Sequence, residues 1–104
     1  MIPANLKDFM TKLKENTRSE KVHWNKATEV AYFADFKDFN FRIQYLFNPD
    51  REQRMYIFEV EKEKEITNFQ VTDEEGDWDY MSNLYSEISL SATGFSQELA
   101  TLFD

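Results

Sequence analysis

The sequence predicts an α+β fold. An N-terminal helix should lead into a four-stranded antiparallel meander, followed by a long and then a short C-terminal helix, all packed on one sheet face. Three observations predict it. Apolar residues recur at helical spacing near both ends. Between Val22 and Thr72 the period shortens to two. The successive strand-like segments are too closely spaced for crossover helices, which leaves an antiparallel path.

Leu6, Phe9, Met10 and Leu13 fall at i, i+3, i+4 and i+7 and define the first helix. Pro3 suits its first turn, and Asn5 is a candidate N-cap. Lys12, Lys14 and Arg18 stand towards its C-terminal end, where the helix dipole favours cations. Val30, Tyr32, Ala34 and Phe36 alternate along a first strand, with Lys37-Asp38 as the hairpin tip. Phe39, Phe41, Ile43, Tyr45 and Phe47 alternate with Asn40, Arg42 and Gln44 in the second. Asn48-Pro49-Asp50 is a turn signal. A third strand runs from Met55 to Lys62, and a short fourth from Ile66 to Val71 follows the turn at Glu63-Lys64-Glu65. Asp77 or Asp79 can cap the long helix, whose apolar stripe is Trp78, Met81, Leu84, Tyr85 and Ile88. Gly94 suits the position that ends it. Phe95, Leu99, Leu102 and Phe103 fit a short final helix with Ser96 near its start. Leu6, Phe9, Leu13, Trp78, Met81, Tyr85 and Ile88 should then meet the strand aromatics.

The chain of 104 residues suits one domain, residues 1–104. Ten Phe, five Tyr and two Trp supply a core despite 31% charged residues. No cysteine is present, which removes disulfides, thiolate metal ligands and thiol nucleophiles together and favours a cytoplasmic location. No signal peptide is visible, and no apolar run approaches the ~18 residues of a membrane span, so no membrane association is expected. The net charge of −8 repels phosphate backbones, so no nucleic acid is expected as a partner. Charge is also uneven: residues 1–26 hold six cations against three anions, whereas residues 59–79 hold nine anions against Lys62 and Lys64.

No motif selects a catalytic, cofactor-binding or metal-binding residue. His23 is the single histidine, and no serine lies in the Gly-flanked turn that a His-assisted nucleophile would need. Asp73, Glu74, Glu75, Asp77 and Asp79 surround Gly76, but a calcium loop counted from Asp73 places Trp78 where glycine is required and Leu84 where glutamate is required. The more informative feature is the third strand, whose start is apolar on both sides. Met55 and Ile57 point one way, Tyr56, Phe58 and Val60 the other. Past Ile57 the first side turns acidic with Glu59, Glu61, Glu63 and Glu65, and Phe33 stands opposite Tyr32 in the first strand. A sheet with one solvated face does not need this, so Phe33, Met55, Ile57, Glu59, Glu61 and Glu63 form the candidate interaction surface.

The block Leu84-Tyr85, Ser91-Ala92, Gly94-Phe95, Leu99 and Leu102 resembles the C-terminal signature of a family of small prokaryotic and phage proteins of unknown function. Glu20-Lys21-Val22-His23-Trp24 is similar to its polar loop and Trp-led entry into the sheet. Ala27 and Ser89-Leu90 depart from its pattern. The resemblance implies this fold and a mobile-element setting, and carries no site residue. The sequence thus points to a non-enzymatic cytoplasmic protein–protein interaction module, of a regulatory, immunity-like or anti-defence kind, with a protein partner or self-association through an aromatic sheet face. A small-molecule binder with an aromatic pocket and a carboxylate-based hydrolase are the alternatives.

Overall fold

The computed structural model describes the backbone of residues 1–104 and the side chains of all but residues 95–97. One 3-10 turn, Ala4–Leu6, feeds helix α1, Lys7–Arg18. The Leu6 N–H donates to the Pro3 carbonyl at 2.9 Å. Asn5 therefore lies inside the turn and does not cap the helix, because the 3-10 turn satisfies the first donors with backbone carbonyls.

The meander has five strands rather than the expected four: β1 (Asn25–Thr28), β2 (Ala31–Phe36), β3 (Phe39–Asn48), β4 (Gln53–Lys62) and β5 (Glu65–Thr72), in spatial order β1-β2-β3-β4-β5. The additional strand is β1. All four of its residues are exposed and its pairing with β2 is irregular between Lys26 and Thr28, so it carries no apolar alternation to read. Lys37-Asp38 closes the β2–β3 hairpin as expected, and Glu63-Lys64 closes β4–β5. Both tips place their first residue in the left-handed region, Lys37 at φ 55° and Glu63 at φ 58°.

Helix α2 spans Trp78–Thr93 and ends at Gly94, whose φ of 74° is the left-handed stop that glycine adopts at least cost. Asp77 sits at its N-cap without capping it. Its carboxylate instead accepts the Ile2 N–H at 2.9 Å and so ties the N-terminal segment to the α2 start. A short α3, Phe95–Thr101, follows. The expected roles of Phe95 and Ser96 side chains lie outside the described residues.

Helices α1 and α2 lie side by side and run in the same direction, with the Tyr80 hydroxyl donating to the Met10 carbonyl at 2.7 Å and Arg18 paired to Glu87 at 2.6 Å. Both rest on one face of the sheet. Phe9 of α1 meets Phe41 and Phe58 at ring-centroid distances of 5.4 and 6.3 Å. Trp78 and Tyr85 of α2 meet Tyr56 at 4.6 and 5.1 Å. These rings join Met10, Leu13, Ile43, Val71, Met81, Leu84 and Ile88 in one core. The buried Trp24 belongs to it too. Its indole N–H donates to the Thr17 hydroxyl at 3.1 Å, which donates in turn to the Leu13 carbonyl at 2.8 Å. A polar pair is thereby satisfied where the polar loop enters the sheet.

Candidate interaction surfaces

The strand registers fix what lies on the face away from the helices. Successive rows across β2, β3, β4 and β5 read Ala31, Gln44, Ile57, Gln70, then Phe33, Arg42, Glu59, Asn68, then Asp35, Asn40, Glu61, Ile66. Leu46 pairs with Met55 beyond the first of these rows. Of the six residues expected to form a surface, Phe33, Met55, Ile57, Glu59 and Glu61 share this face. Glu63 does not. It occupies the first position of the β4–β5 turn, and the two-residue loop resets the alternation so that Glu65 pairs with Lys62 on the helix side.

This open face is divided. Leu46, Met55 and Ile57 are half-buried apolar residues gathered toward one end, and half-buried Phe33 stands in the next row, which it shares with Arg42 and Glu59. Asp35, Glu59 and Glu61 lie toward the other, with Arg42 the one cation in the rows named. Asp35 accepts the Asn40 side-chain amide at 2.7 Å. Among the described residues, every ring contact of α1 and α2 is with residues on the opposite side.

A second apolar feature escaped the sequence reading. On the helix side the strands run past α1 toward the two hairpin tips and leave an open groove of about 400 Å³. Leu6 and Phe9 form one wall; Phe39, Phe41, Val60 and Thr67 form the floor. Phe39 is 38% exposed there. Lys62 lies over the Phe39 ring at 5.3 Å and Lys37 over the Phe36 ring at 5.6 Å, so both hairpin ends carry cations above aromatic faces. The signal was present in the ten-residue length of β3, which is more strand than two helices side by side can cover.

The acidic segment 73–79 is engaged in holding the chain together. Asp73 accepts from the Arg54 N–H and Nε at 3.3 Å. Glu75 takes the Met1 α-amine on both oxygens at 3.0 Å and the Thr72 N–H at 2.7 Å. Burial pushes the Glu75 pKa up, but the amine and the Thr72 N–H outweigh it and hold the carboxyl below its ordinary value. His23 is exposed. Among the described residues no group of three or more His, Cys, Asp or Glu is placed to hold a metal ion, and no helix is long and apolar enough to cross a membrane.

Four tyrosines, Tyr32, Tyr45, Tyr56 and Tyr85, cluster between α2 and the sheet, with Tyr85 within 5.1–6.4 Å of the other three rings. Burial, followed by the neighbouring tyrosines, pushes the Tyr85 pKa up to about 12. Tyr32 shares a hydrogen bond with Ser89 at 3.0 Å. The cluster packs the core beneath α2. No family model, no curated protein and no solved structure matches this chain.

Proposed function

We propose that this protein is a non-enzymatic cytoplasmic interaction module whose open sheet face binds a protein partner, in a regulatory, immunity-like or anti-defence role. The carrying observation is that both long helices pack on one side of the sheet while Phe33, Leu46, Met55 and Ile57 stand together on the other. Apolar residues gathered on one face favour association when a matching surface removes them from water.

The charge beside them selects the partner's chemistry. Asp35, Glu59 and Glu61 outnumber Arg42, so a second copy of the same face would bring like charges together. A segment that pairs apolar side chains with Lys or Arg fits instead. The resemblance to small prokaryotic and phage proteins is consistent with a module of this kind and supplies no partner.

A photo-crosslinking residue at position 57, expressed in the native host, tests the reading. The expected product joins this face to a partner peptide in which apolar and basic residues alternate or adjoin, and Met55→Lys and Glu59→Lys each abolish it. An acidic partner surface, or crosslinks that survive both substitutions, would overturn it.

A further inference from the structure

We infer that the groove beside α1 receives the C-terminal helix α3 of a second copy of this chain, in a reciprocal dimer. Two unpartnered apolar features on one chain motivate this. The groove has an apolar floor and wall and lies on the side of α1 away from α2. Helix α3 leaves Leu99 58% exposed, and just past it Leu102 is 62% and Phe103 95% exposed.

The groove has the width of a helix. Phe41 lies beneath α1, and the Lys37-Asp38 tip is reached three to four residues farther along the strands, a span of roughly 10–14 Å at strand rise. Packed helices sit about 8–10 Å apart, so one further helix fits alongside α1. The chain's own α3 cannot take this place without crossing α1, because it follows directly on α2 on the far side. A second copy can offer it.

Charge permits the same occupant. No Lys or Arg occurs after Lys64, and the final segment carries Glu98 and Asp104. Lys62, over the Phe39 ring, and Lys37, over the Phe36 ring, stand at the strand end of the groove. Asp38 and Glu65 stand beside them, so this end of the groove carries no net charge to repel an acidic segment. Seating Leu99, Leu102 and Phe103 twice, once in each groove, would bury on the order of 1,500 Å² in all, within the range of a specific dimer. Both contacts are satisfied in one closed pair, so the assembly does not propagate.

Sedimentation velocity on the full chain, from micromolar to millimolar concentration, tests this. A monomer–dimer equilibrium is expected. The double variant Leu99→Glu/Leu102→Glu, at exposed positions that leave the fold intact, should weaken it at least about a hundredfold. Phe39→Glu should do the same from the groove side; Thr67→Glu, on the exposed edge strand, serves if Phe39→Glu unfolds. Mixing a helix variant with a groove variant is the decisive arm, because the mixed pair retains one intact helix–groove contact while each variant alone has none. A heterodimer tighter than either homodimer is expected, and Ile57→Lys on the opposite sheet face should leave dimerisation unchanged. A monomer at all concentrations, a dimer indifferent to both sets of substitutions, no gain on mixing, or a purified monomer carrying an apolar small molecule by native mass spectrometry would each overturn the inference.

Discussion

Replacing Tyr85 with phenylalanine should flatten the loss of stability expected of this protein above pH 10. The Tyr85 ring lies 5.1 Å from Tyr56, 5.5 Å from Tyr32 and 6.4 Å from Tyr45. A phenolate there would lose hydration first and then meet the partial charges of three neighbouring tyrosines, and its pKa rises from 10.0 to about 12. Below pH 10 the folded and unfolded chains both hold the proton, and the group's contribution is fully present. As pH passes 10 the unfolded chain loses its proton first, which favours unfolding until the folded-state value near 12 is reached. Two units correspond to about 2.7 kcal/mol. Tyr85 is only half-buried, and solvent screening reduces this to on the order of 1 kcal/mol. Urea unfolding followed by tryptophan fluorescence at pH 8, 9.5 and 11 reads the difference. The variant should be close to wild type at pH 8 and lose less stability by pH 11. Parallel pH profiles for the two proteins would refute the argument, since every other alkaline titration is common to both.

Three further outcomes follow from local geometry. Thr17→Val should cost about 1–3 kcal/mol in denaturant unfolding, because it removes the acceptor of the buried Trp24 indole N–H while keeping the side chain's shape. Glu63→Gly should stabilise by up to about 1 kcal/mol, because a left-handed φ of 58° costs a side-chain-bearing residue more than glycine's added unfolded-state entropy; thermal unfolding measures it. Glu75→Gln should remove part of the acid sensitivity. The lowered folded-state pKa gives a contribution present above the ordinary value of 4.5 and lost as pH falls through the lowered value, so wild type and variant should converge in stability as the solution is acidified below pH 4.5, which urea unfolding across that range measures.

The fold was largely legible because its aromatic residues keep strict periods. Phe39 through Phe47 alternate over the whole of β3, and Trp78 through Ile88 hold one helical stripe, so neither reading had a competitor. Strand β1 was not legible because nothing in Asn25–Thr28 is buried; it exists through hydrogen bonds to β2, which leave no mark on hydrophobic pattern. Asn5 and Asp77 show the same limit at helix starts. Both are good capping residues, and tertiary geometry assigns the first to a 3-10 turn and the second to the Ile2 N–H. The two-sided apolar start of β4 did point to the open face, as Met55 and Ile57 have no helix to meet. Glu63 was misplaced because a two-residue turn looks like continued alternation when it is built from Glu and Lys. The groove depended on where α1 crosses the strands, and helix placement across a sheet is set by side-chain packing rather than by sequence period.

The sheet edges and the sheet faces make opposite preparations for partners. Edge strand β1 is four residues long, irregular, and carries Lys26, all features that discourage strand addition. At the other edge, β5 begins beside Lys64 and Glu65, and at its far end the Met1 α-amine donates to the Gln70 carbonyl at 2.7 Å, occupying an acceptor that a docking strand would use. The faces, in contrast, retain Phe33, Met55 and Ile57 on one side and Phe39 and Val60 on the other. Backbone pairing at an edge is largely indifferent to the partner's side chains, whereas an apolar face bordered by fixed charge discriminates among them. Blunted edges beside open faces support the proposed recognition through side chains. The protein's partners should respond to substitutions at Ile57 or Phe39 and ignore Lys26→Ala on edge strand β1, a position that alternates away from the open face.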